Sequence, residues 1–221
     1  MEASPKFLIF STQEEMPEMN RAFKIFLTVV LFLQSTNTFC QQDFNDSIAN
    51  TRNRITSTAM ITLGSWAAAN IISGFIIAGQ TQGEAKYAWQ MNAYWNLVNG
   101  GLAIMGYLNA KKAMTKKYGF AENEAAQQSL IKLYAINLGL DLAYIATGLY
   151  LREKGVNETS QKSKDQLSGY GTSIIIQGGF LLIMDGVIIS LHQKNSNRLN
   201  ARLKKIELNA GPNGLGLTYN F

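Results

Sequence analysis

Four apolar windows, residues 56–80, 87–110, 130–151 and 170–192, constrain this chain more than anything else in it. Each is close to the roughly 20 residues that a helix needs to cross a bilayer. Hydrocarbon offers backbone amides no water, so windows of this length fold as helices there. Gln80 to Lys86 is short enough to force an antiparallel hairpin, whereas Arg152 to Gly169 is longer and rich in Lys, Ser, Gln and Glu. The expected fold is an all-α membrane protein, a four-helix transmembrane bundle. A soluble bundle with unusually apolar helices is the alternative. The composition, 47% hydrophobic with 16% charged, leans away from a typical soluble surface.

Ahead of the windows lies a pattern of a different kind. Arg21 and Lys24 precede a short apolar core, Ile25 to Leu33, and Thr38-Phe39-Cys40 leads to Gln41. This is the layout of a cleavable export signal, expected over residues 1–40 and followed by a polar lead, 41–55. Glu2, Glu14, Glu15 and Glu18 are unusual before a signal and make Met19 a second candidate start. A lipid-modified Cys40 is the alternative, and Asn37-Thr38-Phe39 is a poor match to the small residues such processing favours.

The windows also resemble one another. Residues 69–75 (ANIISGF) are similar to 143–149 (AYIATGL), and 99–105 (NGGLAIM) to 177–183 (QGGFLLI), with offsets of 74 and 78 residues. The spans thus read as two tandem helical hairpins related by an internal repeat, parallel in the membrane. Gly64 with Ala68, Gly74 with Ala78 and Gly139 with Ala143 put small residues four apart, which lets backbones approach closely in lipid.

Each window carries a polar stripe. Helical spacing aligns Asn92, Asn96 and Asn99 on the second, Asn137, Asp141, Tyr144 and Gly148 on the third, Trp66, Asn70 and Ser73 on the first, and Ser173, Gln177 and Asp185 on the fourth. Unpaired amides and acids are costly in hydrocarbon, so the stripes are expected to turn inward and bond to one another. Asn92, Asn96, Asn99, Asn137, Asp141, Gln177 and Asp185 are the candidate ligand- or ion-binding residues. The competing reading makes the same side chains interhelical glue.

Several function classes find no support in these residues. The chain has one cysteine and one histidine, Cys40 and His192, too few ligands for a zinc, haem or iron–sulfur centre, and no cofactor is implied. No nucleophile-base spacing or phosphate-cradling loop is present, so no catalytic residue is assigned and the chain does not read as an enzyme. The net charge of +5 sits in loops and tail without aromatic interleaving, which points to lipid headgroups rather than nucleic acid.

Topology rules conflict. Arg52, Arg54, Lys111, Lys112, Lys116, Lys117, Lys194, Arg198, Arg202, Lys204 and Lys205 lie on one side of the windows, against Lys86, Arg152, Lys154, Lys162 and Lys164 on the other. The charge rule puts the larger group in the cytoplasm. A cleaved signal puts it outside. In the basic tail, 193–221, two alternating runs flank Gly211-Pro212-Asn213-Gly214, predicting a short C-terminal β-hairpin.

The run Gln90 to Asn99 (QMNAYWNLVN), with Gly139-Leu140-Asp141 and Gly169-Tyr170-Gly171 through Gln177-Gly178, resembles an uncharacterised family of four-span membrane proteins of Bacteroidota. The likeness covers roughly residues 55–192. It implies a membrane address, most simply the bacterial inner membrane with outer-membrane association as a further option, and no activity. Partners are then the lipid bilayer and a membrane protein or second copy. The function expected is a non-enzymatic structural or partner-binding bundle. The alternative is a small transporter or ligand-binding protein using the Asn/Asp cluster.

Overall fold

The computed structural model describes the backbone of residues 21–203, 206–211 and 214–219 and the side chains of residues 42–201. The chain divides into two units, Met1–Gln41 and Gln42–Phe221. The expected signal falls in the first. Its residues 1–20 lie outside the described residues, and 21–40 are described only as helical backbone.

The three prolines are Pro5, Pro17 and Pro212, so none interrupts the body of the chain. Four helices form: α1 (Arg21–Gln80), α2 (Gly83–Ala113), α3 (Phe120–Val156) and α4 (Gln161–Leu203). Two short strands, β1 (Ile206–Gly211) and β2 (Gly214–Tyr219), follow and pair antiparallel with Ile206 opposite Tyr219. The first turn is two residues long, and Gly83, at φ +60°, supplies the left-handed backbone that reverses the chain. At the start of α3 the Gly119 amide donates to Glu122 Oε2 at 3.1 Å, and the Asn123 amide donates to the Gly119 carbonyl at 3.0 Å.

The helices outrun the apolar windows. Residues 42–55, read as a polar lead, are helical, and the third connection shrinks from Arg152–Gly169 to residues 157–160. The cause is that an apolar window reports where side chains meet hydrocarbon, whereas Ala, Glu, Gln, Lys and Arg propagate a helix equally well in water. At about 1.5 Å per residue, the 37 residues of α3 extend about 55 Å, well past a hydrocarbon core of about 30 Å.

Three helical segments, Gln42–Gln80, Phe120–Val156 and Gln161–Ala201, are long and apolar enough to cross a membrane. The second window falls short of this, since Gln90, Asn92, Asn96, Asn99 and Asn109 dilute it. The surface nonetheless reads inside out. Ile72 and Phe75 on α1, Val98 and Ile104 on α2, Ile136 on α3 and Ile183 on α4 are exposed, while Asn96, Gln177, Asp141 and Asp185 are buried. That inversion, with three membrane-length helices, marks a membrane protein.

Two seams are closed by small residues. A Cβ at Gly74 would meet Ala93 Cβ and the Trp89 carbonyl at 2.8 Å, so α1 and α2 touch backbone to backbone. A Cβ at Gly148 would meet the Gly171 carbonyl at 2.7 Å, which does the same for α3 and α4. Gly139 faces open space, so the expected Gly139–Ala143 pair packs nothing. The helix α4 also runs beside α2, whereas α2 and α3 have no Cα atoms within 8 Å of each other.

Residues 45–56 of α1, the connection after α2, the start of α3 and the end of α4 converge at one end of the bundle. Polar side chains stitch it. Asn123 Nδ2 donates to the Asn45 carbonyl at 2.8 Å, Asn195 Nδ2 donates to the Ile48 carbonyl at 3.1 Å and to Gln127 Oε1 at 2.9 Å, and Lys117 pairs with Asp46. His192 is fully buried there. Gln127 Nε2 donates to its Nδ1 at 3.1 Å, so the ring proton lies on Nε2, facing Thr56 Oγ1 at 3.5 Å. Stacked on Tyr134 with ring centroids 5.6 Å apart, this histidine is a structural pin.

Candidate functional site

Because the α2 and α3 backbones stand apart, a lateral cleft of about 810 Å³ opens between them. Residues of α1 and α4 complete its lining. Met60 and Leu63, Val98, Leu102 and Met105, and Leu133 and Leu140 make the walls apolar. Trp95 and Tyr144 cross between α2 and α3 edge to face, with ring centroids 4.8 Å apart, and bridge them at the inner end. Along α3 the lining runs from Ala126 to Tyr144, a helical rise of about 27 Å.

The seven candidate residues separate into two groups. Asn92, Asn96 and Gln177 lie away from the cleft, the first and last of them in an interhelical network. Trp66 Nε1 donates to Gln177 Oε1 at 2.9 Å, Gln177 Nε2 donates to Asn92 Oδ1, Asn92 Nδ2 donates to Asn70 Oδ1 at 2.8 Å, and Asn70 Nδ2 donates to the Trp66 carbonyl at 2.7 Å. Asn96 Nδ2 donates to the Asn92 carbonyl at 2.8 Å. The chain of bonds ties α1, α2 and α4 together, and Trp66 further stacks on Phe180 with centroids 3.9 Å apart.

The other four, Asn99, Asn137, Asp141 and Asp185, line the cleft. Asn99 connects the groups, its Nδ2 lying 3.4 Å from Asn96 Oδ1. Asn137 is placed to hydrogen-bond Asp185. Asp141, only 3% exposed, has no hydrogen-bond partner for its Oδ2. Among the described residues the one ion pair is Lys117–Asp46, so neither cleft acid is neutralised by a cation.

At the opposite end of the cleft stands Arg52, 2% exposed. Its Nη1 donates to Asn123 Oδ1 at 2.6 Å, the Tyr118 ring covers the guanidinium 4.5 Å from the ring centroid, and Nη2 has no partner. Arg52 escaped the candidate set because it precedes the apolar window. The signal was available, since Asn45, Arg52, Thr56, Leu63 and Asn70 continue a single helical face through that boundary. Tyr134, also in the lining, continues the α3 stripe three residues before Asn137, and Tyr118 lies in the connection ahead of α3.

A second, smaller opening of about 580 Å³ lies between α4 and α1, lined by Thr58, Thr62, Ile183, Val187 and Leu191 among others. Among the described residues no group of three or more His, Cys, Asp or Glu is arranged to hold a metal ion.

Comparison with known proteins gives a family without an activity. Residues 62–186, more than half of the chain, match the family of unknown function DUF6992. The chain belongs to DUF6992. No curated protein and no solved structure matches it. The DUF6992 match encloses all seven candidate residues and ends short of Arg52 on one side and His192 on the other.

Proposed function

We propose that this DUF6992 member is a non-enzymatic membrane protein that takes an amphipathic small molecule from the lipid phase into the α2/α3 cleft. One observation carries this reading: a cleft of about 810 Å³ with apolar walls, a polar inner end in which Asp141 Oδ2 has no partner, and Arg52 Nη2 unmet at the other end. Binding sites for small molecules combine a mostly apolar surface with a few convergent polar groups. The Trp66–Gln177–Asn92–Asn70 network, in contrast, has these hydrogen bonds met and lies away from the cleft.

In this reading all four helices span the membrane. The exposed Leu97, Ile104 and Leu108, outside the cleft, support a lipid-facing α2, and inward placement of Asn92, Asn96 and Asn99 accounts for its low apolarity. The internal repeat belongs to the same proposal. The Gly74–Ala93 approach in the first hairpin recurs 74 and 78 residues later as Gly148–Gly171 in the second, at the offsets seen in the sequence. The inner membrane is the proposed address, with the Arg52 end cytoplasmic by the charge rule.

The test is photocrosslinking in nanodiscs with a diazirine-bearing acyl probe, mapped by peptide mass spectrometry. Labelling is expected at Leu102, Met105 and Leu133 above that at the exposed Ile76 and Leu149, and it should fall when Leu102→Trp fills the cleft. Equal labelling of cleft and outer face would falsify the reading.

A further inference from the structure

Resting on the amphiphile-binding reading above, we infer that the occupant of the α2/α3 cleft is an anionic lipid whose phosphate sits at Arg52 while its acyl chain runs inward between α2 and α3. The first support is the state of the guanidinium. Arg52 is almost fully buried, is hydrogen-bonded by the side chains of Asn123 and Tyr118, and leaves Nη2 with no partner. The side chains bonded to it or stacked on it, Asn123 and Tyr118, are neutral, and among the described residues it takes part in no ion pair. A buried cation that lacks a counter-charge is costly, and an anion supplied from outside removes that cost. Arginine's planar fork suits a phosphate, which accepts two parallel N–H bonds.

The second support is placement. Arg52 lies four residues before the apolar window of α1 and is covered by Tyr118 in the α2–α3 connection, so it stands where a headgroup stands. From there the cleft runs for a helical rise of about 27 Å along α3, close to the depth of the hydrocarbon core. Its walls beyond Arg52 are Met60, Leu102, Met105, Leu133 and Leu140, which accept an acyl chain.

The third support is the surrounding charge. Among the described residues this end of the bundle carries Arg52, Arg54, Lys111, Lys112, Lys116, Lys117, Lys194 and Arg198 against Asp43, Asp46, Glu122 and Glu124. The other end is nearly balanced, with Lys86, Arg152, Lys154, Lys162 and Lys164 against Glu84, Glu153, Glu158 and Asp165. A basic collar gathers anionic lipid, and a basic pocket between helices then holds its headgroup. Tyr118 is the cover that the headgroup displaces.

The experiment uses the full chain in nanodiscs with two diazirine acyl probes that differ only in headgroup, phosphatidylglycerol and phosphatidylcholine. The anionic probe should label the cleft on the order of fivefold more than the choline probe, the preference that one buried basic contact supplies. Arg52→Gln should abolish that preference, whereas Arg54→Gln, at an exposed arginine of the same end, should keep it. If Arg52→Gln does not fold, Tyr118→Ala decides, because uncovering the guanidinium should raise anionic labelling; an unchanged or lower value refutes the assignment. Equal labelling by both probes in the unaltered protein refutes the anionic headgroup and leaves the amphiphile reading standing. Absence of cleft labelling by either probe sinks the amphiphile reading itself.

Discussion

The two lateral openings of the bundle occupy corresponding places, one between α2 and α3 and the other between α4 and α1, yet they differ in what lies at the bottom. The α4/α1 groove is lined by Ile183, Val187 and Leu191 with threonines among them and an exposed Arg54, and Thr62 Oγ1 already donates to the Thr58 carbonyl at 3.1 Å. A lipid chain satisfies such a surface. The α2/α3 cleft keeps similar apolar walls but ends on Asn99, Asn137, Asp141 and Asp185, with Asp141 Oδ2 and Arg52 Nη2 unpaired. Shape therefore does not separate a site from a crevice here. Unmet hydrogen bonding separates these two openings, because a buried polar atom without a partner carries its desolvation cost and only the α2/α3 cleft is lined by such atoms.

The largest effect should come from forcing apart the seams that hold both openings in place. Gly148→Leu drives a side chain into the Gly171 carbonyl and Ile175, so it should lower unfolding stability in detergent by about 3 kcal/mol or prevent folding, measured by thermal or denaturant scans. Next comes a direct contrast between the openings. Leu102→Trp should weaken acyl-probe binding about tenfold, equivalent to about 1.4 kcal/mol, while Ile183→Trp in the other groove changes it less than about twofold. Equal losses from both would erase the distinction. Smaller again, Gln177→Leu removes the acceptor of Trp66 and the donor to Asn92, and should cost about 1 kcal/mol of stability while leaving probe binding in place.

The apolar windows made the helical bundle legible because hydrocarbon imposes a length on whatever crosses it, and Gln80 to Lys86 announced the tight turn before Gly83. Helix ends were less visible, since residues 42–55 and 152–156 are polar yet helical. The stripes correctly named polar residues that the structure buries, including Asn96 and Gln177, but spacing within one helix says nothing about its neighbours. Whether Asn92 meets Gln177, or Asp141 meets empty space, depends on which helices touch and which stand apart. That separation of α2 from α3, set by where glycines sit on other faces, is also what brought Arg52 into the site unannounced.

The smallest effect expected on stability is also the one that sharpens the contrast most. Asp141→Asn replaces a buried carboxyl by an amide of the same shape at a position whose Oδ2 bonds to nothing. If Asp141 belongs to the inner end of the cleft rather than to the glue, no interhelical bond is lost, and stability should move by less than about 0.6 kcal/mol, the average worth of one such bond in a membrane bundle. Probe binding should change instead, because the amide alters what the inner end of the cleft presents to its occupant. A loss well above 1 kcal/mol, with binding untouched, would place Asp141 beside Gln177 as a structural member. The polar inner end would then be a network with one bond missing, and the α2/α3 cleft would differ from the α4/α1 groove in shape alone.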